Sequence, residues 1–314
     1  MSEIKLYDSS QKKAWDEFVS LAKNKHFMFF RDYIEYHSNR FEDYSMMIFD
    51  DKNKLIALLP ANISKNSVYS HQGLTFGGLI LKTSAKQQDV NDIFDSLISF
   101  LKENGVEYFL YKKMPYIYHI SPSDEDLYPL FKHGFRISRR DISSTIKTSH
   151  RIKYSERRRR CIKRSLTVSL VYRESENIAE FWDNLSDVLM CGHSAKPVHT
   201  YDEIVFLKKM FPNNIKFFSA NLKGEQVAGV VVFITDSVAH MQYIYTNDKG
   251  RDVCALDGLM DYLINDVFSI KDFFDFGTSM ENQGEYINEG LISQKEGFGG
   301  RAITHDFYEV NIND

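Results

Sequence analysis

The chain has 314 residues, 43% hydrophobic and 26% charged, with a formal net charge of −4. That length suits about two domains of ordinary size, and the composition is that of a globular protein, not a disordered or collagenous one. The small negative charge gives no global attraction to nucleic acid. The three cysteines, Cys161, Cys191 and Cys254, are widely spaced and odd in number, so they suggest neither a disulfide framework nor a metal site. They read as reduced thiols of a cytoplasmic protein. The N-terminus carries no apolar signal core. The longest apolar run, about eight residues within 227–234, is far short of the roughly twenty that span a bilayer. Any membrane contact is expected to be peripheral, at the inner face.

Read in order, residues 4–7 form a short strand, and a helix follows to Ala22 with Trp15, Phe18, Val19 and Ala22 on one face. Residues 29–41 suggest a second helix. A hairpin joins 45–49 to 55–63 across a turn at 50–54. Residues 68–81, VYSHQGLTFGGLIL, read as a strand broken by glycines. Apolar residues at 90, 93, 94, 97, 98 and 101 predict a helix over 87–103 that stops at Asn104-Gly105. A strand at 106–111, a short helix at 124–133 and a strand at 135–147 complete the first half.

The second half opens with a basic helix over 149–165 and a strand at 167–172. Helices are expected at 178–190 and 201–211, the latter capped by Thr200. A hairpin joins 215–222 to 226–235. A strand at 238–246, a helix at 255–268, a strand at 273–276, a helix at 286–295 and a strand at 302–310 follow. Three segments match in order between the halves: SMMIFDDKNKLIALLPANI with KFFSANLKGEQVAGVVVFI, DIFDSLISFLKENGVEYFLY with LDGLMDYLINDVFSIKDFFDF, and LFKHGFR with SQKEGFGGR. This is an internal duplication of an α/β unit with a mixed sheet, giving domains over 1–147 and 148–314.

The densest polar cluster lies at 273–301, FFDFGTSMENQGEYINEGLISQKEGFGGR. A buried strand that ends in glycine and a run of hydrogen-bonding side chains fits a ligand site at the carboxyl end of a strand.

Hairpin, strand, helix and strand, repeated in tandem and closing on FDFGTSMENQG and LISQKEGFGGR, resemble the tandem-GNAT acyltransferases related to the FemAB peptidyltransferases. YSHQGLTFGGL and KPVHTYDEIVFLKKMFP resemble bacterial acetyltransferase-like proteins of surface-polysaccharide pathways. The resemblance implies an N-acyltransferase that moves an acyl group, acetyl in the simplest case, from a CoA thioester to an amine. The implied acceptor is an amino sugar, small or lipid-linked. It also implies an alternative, a FemAB-like transferase using aminoacyl-tRNA; a non-catalytic GNAT pair acting as a binding protein is a third reading. One departure concerns the phosphate loop. Such enzymes usually open the helix after the fourth strand with a glycine-rich loop whose N–H groups cradle pyrophosphate. Here that place reads TNDKGRDVCALDG, with Lys249, Gly250 and Arg251 as the candidate cofactor contacts.

Acyl transfer needs a base, an oxyanion holder and an acid for the leaving group. Glu281, just past the strand end, and His71, beside Gln72 in a glycine-rich stretch, are the candidate bases. Tyr245, on the strand that in GNAT folds splays to admit the thioester, is the candidate acid; Tyr243 shares its face. Gln72, Tyr243, Asp275, Ser279, Asn282, Gln283, His193, His199, Lys295 and Arg301 are candidate substrate contacts. No metal is expected, since His193 and His199 lack a third ligand at a fitting spacing. The basic residues 157–160 are a candidate contact for an anionic partner.

Overall fold

The computed structural model describes residues 2–193 and 195–313. They form two compact units, Met1–Asp141 with Thr304–Asp314, and Ile142–Ile303.

In the first unit β1 (Glu3–Leu6) leads to α1 (Lys12–Leu21), whose Trp15 and Val19 are fully buried. The helix expected over 29–41 is instead a 3-10 turn at Phe27–Phe29, α2 (Arg31–Ile34) and a second 3-10 turn at Glu35–His37. Tertiary packing overrides the helical pattern there: the Arg31 guanidinium is buried, lies 3.7 Å from the centre of the Tyr7 ring and binds Glu35 (2.9 Å) and Asp43. Then come β2 (Glu42–Asp43), β3 (Met46–Phe49), β4 (Leu55–Leu59), β5 (Asn62–Ser64), β6 (Ser67–Tyr69) and β7 (Ile80–Leu81). The single strand expected at 55–63 divides at Pro60, which has no N–H to donate to a ladder. The glycine-broken strand at 68–81 is β6 and β7 with an excursion between them. Val90, Ile93, Phe94, Leu97 and Leu101 form the buried stripe of α3 (Gln87–Glu103). The unit continues through β8 (Tyr108–Lys112) and α4 (Leu127–Lys132) to the start of β9 (Arg136–Lys147). Its sheets have the orders β1-β3-β4-β7 and β17-β8-β6-β5-β2, where β17 is the chain's last strand (Arg301–Asn311).

The second unit holds α5 (Glu156–Ser165), β10 (Leu170–Glu174), α6 (Ile178–His193), α7 (Tyr201–Met210), β11 (Ile215–Leu222), β12 (Glu225–Ile234) and β13 (Val238–Thr246). After β13 come α8 (Asp248–Asp252), α9 (Ala255–Tyr262) with a π-turn over Leu263–Val267, β14 (Phe273–Thr278), the small hairpin β15 (Met280–Glu281) and β16 (Tyr286–Ile287), and α10 (Glu289–Gly297). The sheet order is β10-β11-β12-β13-β14-β9. The basic helix starts later than expected, at Glu156, because Ser155 caps it by accepting from the Arg158 N–H. The helix expected from 286 begins at Glu289, since Tyr286 and Ile287 pair with β15.

The closing strands differ from a plain duplication. The strand at 135–147 was expected to close the first half, yet its residues 143–147 pair antiparallel with β14. In return, Phe307–Asn311 of β17 pair antiparallel with β8. The boundary expected at 147/148 thus lies six residues after the first crossing at 141/142, and the last eleven residues belong to the first unit. Among the described residues no helix is long and apolar enough to cross a membrane.

Candidate functional site

In the second unit, β13 and β14 run parallel and pair only over Val238–His240 and Phe273–Asp275. Beyond that they part. A bulge on β13 shifts the register between its partners Val231 and Val232. On β14, Gly277 takes φ +72, and its N–H donates to Asp275 (3.2 Å). Into the opening falls a cavity of about 240 Å³ lined by Met241, Ile244, Tyr245, Phe276, Leu291 and Lys295 among others. Tyr245 and Ile244 are neighbours on a strand and point to opposite faces of the sheet. Both line the cavity, so the wedge communicates with both faces: Tyr245 packs edge-on against Phe181 of α6 (5.0 Å), and Ile244 packs on the core shared with α9.

Two charged groups are buried where the strands part. Asp275 is 2% exposed and accepts from Ser143 (2.5 Å) and Thr145 (2.8 Å), with His240 Nδ1 at 2.7 Å. Burial alone would raise its pKa; the His240 contact and the two hydroxyls outweigh that and hold the carboxyl well below the usual range. Lys295, 4% exposed, donates to the carbonyls of Gly277 (2.9 Å) and Thr278 (2.6 Å). An ammonium has three protons, so one remains for the cavity that it lines. Burial lowers its pKa to about 8, against the opposing pull of Asp275.

The tyrosines predicted to share a face do so. Tyr245 donates to Gln226 Oε1 (3.2 Å), and burial raises its phenol well above the ordinary value. The Tyr243 hydroxyl lies 2.6 Å from His199 Nδ1, and burial pushes its pKa up to about 12. Only Tyr245 reaches the wedge.

The equivalent position in the first unit is closed. β6 and β8 pair in parallel over Ser67–Tyr69 and Tyr108–Leu110. The excursion 70–79 then runs along β8: the Ser70 N–H donates to the Leu110 carbonyl (2.9 Å), the Gly77 N–H to that of Lys112 (3.0 Å) and the Leu79 N–H to the Tyr111 hydroxyl (2.8 Å). The glycines serve this packing. A Cβ on Gly77 would stand 2.0 Å from the Ser70 carbonyl oxygen, and one on Gly78 2.6 Å from the Tyr111 hydroxyl. The close approach at these glycines is made by the protein's own groups. Lys112 pins the excursion through the carbonyls of Gln72 (3.3 Å) and Leu74 (2.6 Å), and burial brings its pKa down to about 7.

His71 belongs to this plug. It is buried at φ +68, stacks on His37 at 5.2 Å and accepts from the Gly73 N–H (3.2 Å). Burial drives its pKa well below the ordinary value. Gln72 is exposed and exchanges hydrogen bonds with Asn62 (2.7 and 2.9 Å). Glu281 is exposed on β15 and accepts from Asn288 (2.6 Å). Asn282 and Gln283 form an exposed turn at φ +49 and +57. Ser279 is 1% exposed, and its hydroxyl makes no hydrogen bond.

Where a phosphate loop was sought, the chain forms α8. Lys249 pairs with Glu225 (2.6 Å); Arg251 pairs with Asp248 and donates to the Thr246 carbonyl (2.8 Å). The Gly250 N–H donates to the Asn247 cap (2.9 Å), and a Cβ there would stand 2.2 Å from the Val227 carbonyl oxygen. Arg301 is exposed and donates to the Gly300 carbonyl (2.6 Å). The side chain of His193 lies outside the described residues. Among those described, no group of three His, Cys, Asp or Glu side chains is arranged to hold a metal ion.

Sequence reasoning missed His240 and Lys112. His240 sits in a strand with no motif around it; that this histidine stands opposite a buried aspartate shows only after the strands are paired. Lys112 reads as one of two lysines ending a strand. Burial and the neighbouring Cys161 thiol, far away in sequence, raise the pKa of the Cys254 thiol to about 11.

No family model matches the sequence, and no curated protein does. Solved structures do. FemX superposes with a TM-score of 0.68 over 99% of this chain and 98% of its own, at 9% identity. L-PGS from Bacillus licheniformis gives 0.61 over 96% and 91%, at 12% identity. A tandem GNAT protein from the clavulanic acid biosynthesis pathway, solved without AcCoA, gives 0.52 over 99% of both chains at 9% identity. The fold is that of the tandem-GNAT, FemX-like proteins: two GNAT-like domains of mixed α/β architecture.

Proposed function

We propose that this chain is an N-acyltransferase whose activated acyl group enters the wedge of the second unit. The observation that carries the reading is the contrast between the wedges: one is open and holds a buried ammonium, the other is filled by the chain itself. In the reaction an amine nitrogen forms a bond to the acyl carbon, and the bond from that carbon to sulfur or oxygen breaks. Lys295 holds the oxyanion with its remaining proton, and Tyr245 delivers a proton to the leaving group. The proton lost by the amine passes to solvent or to Glu281, exposed just after β14. Asp275 and His240 position the end of β14, and with it the carbonyls that hold Lys295. The resemblance read from the sequence supports acetyl-CoA as donor and an amino sugar of surface-polysaccharide synthesis as acceptor.

A second donor has its own support. α8 leaves the usual phosphate-binding place with its charges already answered, which favours an aminoacyl-tRNA ester over a CoA thioester. The test is turnover with both donors against a panel of amines. Lys295→Met is expected to lower kcat by about 10²–10³-fold, the effect of removing one oxyanion donor. The wild-type rate, measured against Lys295→Arg, should fall as pH rises through about 8, where Lys295 loses its charge. No transfer from either donor, or full turnover in Lys295→Met, overturns the reading.

A further inference from the structure

Beside the wedge lies a larger cleft of about 730 Å³ between the start of α5 and one face of α10, bordered by Ser155, Arg157, Gly290, Ser293 and Arg301. α10 separates the two spaces, and Gln294 borders both. Three arginines line the cleft. Arg158 is buried and answered by Asp257 (2.5 Å). Arg157 and Arg301 are exposed and form no ion pair within 4 Å among the described residues, although the Arg157 charge also acts on Asp257. Glu296 is the one acidic residue in the lining. The ten-residue helix α5 begins at this cleft, so its positive end adds to the two guanidinium groups. Gly290 and Gly297 of α10 also border the cleft, and a Cβ on Gly297 would stand 3.1 Å from Ser155 Oγ.

The other basic cluster of this unit offers less. Lys249 and Arg251, on α8, are each paired with a carboxylate. An anion there would have to displace Glu225 and Asp248, whereas at the cleft it meets unpaired guanidinium groups suited to bidentate phosphate contacts.

We infer that the cleft between α5 and α10 is a phosphate subsite for the substrate whose acyl group enters the wedge, with Arg157 and Arg301 as its ligands. The assignment of that phosphate to the acyl donor rests on the acyl-transfer reading; the anion site itself does not. The shared chemistry is a phosphate ester or anhydride, which CoA and the 3′ end of a tRNA both carry.

The probe is inorganic pyrophosphate, titrated by calorimetry at low salt into the full chain. Arg157→Ala/Arg301→Ala is expected to weaken binding about tenfold or more, and Lys249→Ala/Arg251→Ala to leave it unchanged. Circular dichroism checks folding, and Arg157→Glu alone should weaken binding further than Arg157→Ala. Loss of binding in the Lys249/Arg251 pair, equal binding in the Arg157/Arg301 pair, or no binding by the wild type each overturns the site. Competition by acetyl-CoA and by tRNA then distinguishes the two sources. Pyrophosphate binding that depends on Arg157 and Arg301, without acyl transfer from any donor, keeps the cleft and discards the acyltransferase reading. Turnover that is indifferent to both arginines does the reverse.

Discussion

In the first unit residues 70–79 leave their sheet after β6, run along β8 and enter the other sheet as β7, with Lys112 holding them down. In the second unit β13 is continuous, and the space beside β14 is a cavity with Lys295 at its edge. Each unit thus buries a lysine against backbone carbonyls where its parallel strands part. In one the lysine fastens a plug; in the other it faces empty space. Duplicated strands can therefore keep their order while only one copy keeps an opening, and the difference lies in one loop and a few polar residues.

The polar residues come first, because they carry the largest expected effect. Asp275 pairs third in the β13–β14 register, and Leu110 stands third in the β6–β8 register. Asp275→Ala leaves His240, Ser143 and Thr145 without their acceptor inside the sheet. It should cost about 3–5 kcal/mol in chemical denaturation, the range for breaking a buried pair by removing one partner. The pH dependence follows from the depressed carboxyl: the stability is present above the ordinary aspartate range and is lost as pH falls through the folded pKa. A wild-type chain whose acid unfolding matches that of Asp275→Asn would break the comparison at its strongest point.

The plug is next. Gly77→Val places a side chain where the Ser70 carbonyl stands, and overpacking of this kind costs about 1–3 kcal/mol. The first unit should lose stability and residues 70–79 become open to limited proteolysis, with donor binding in the second unit unchanged. Lys112→Met should cost about 1–2 kcal/mol at neutral pH by stranding two carbonyls. That gap should widen between pH of about 7 and 10. The folded pKa lies below that of a free lysine, so the unfolded chain binds more protons there, and wild-type stability gains relative to the variant as pH rises. A gap that narrows over the same interval would show that the fold raises the Lys112 pKa above that of a free lysine.

Much of this architecture could be read from residue order. The stripe at 90, 93, 94, 97 and 101 forms one face of α3, and the glycines at 77 and 78 do interrupt a strand. What the pattern hides is pairing across long separations. Residues 143–147 read as part of a strand, and nothing local says that β14 rather than β8 is their partner. The wedge is hidden for the same reason: it exists because β13 and β14 stop pairing after three register positions. Candidate residues chosen from one dense polar segment therefore divided. Lys295 reaches the wedge, whereas Glu281, Asn282 and Gln283 lie on an exposed hairpin and turn.

The smallest expected effect separates the two donor readings most sharply. Lys249 and Glu225 are both largely exposed, at 64% and 50%. Such a pair contributes about 0–1 kcal/mol in water and less with added salt, so Lys249→Ala should leave the unfolding midpoint nearly unchanged. If α8 stands where a CoA pyrophosphate would bind, removing this cation should weaken acetyl-CoA binding by severalfold, because the lysine could leave Glu225 for the ligand. If the phosphates sit between α5 and α10, the same substitution should leave acetyl-CoA and pyrophosphate affinities alone, and only Arg157 and Arg301 should matter. A calorimetric titration of Lys249→Ala beside the arginine pair decides which end of the second unit faces the phosphates, with stability held constant in the comparison.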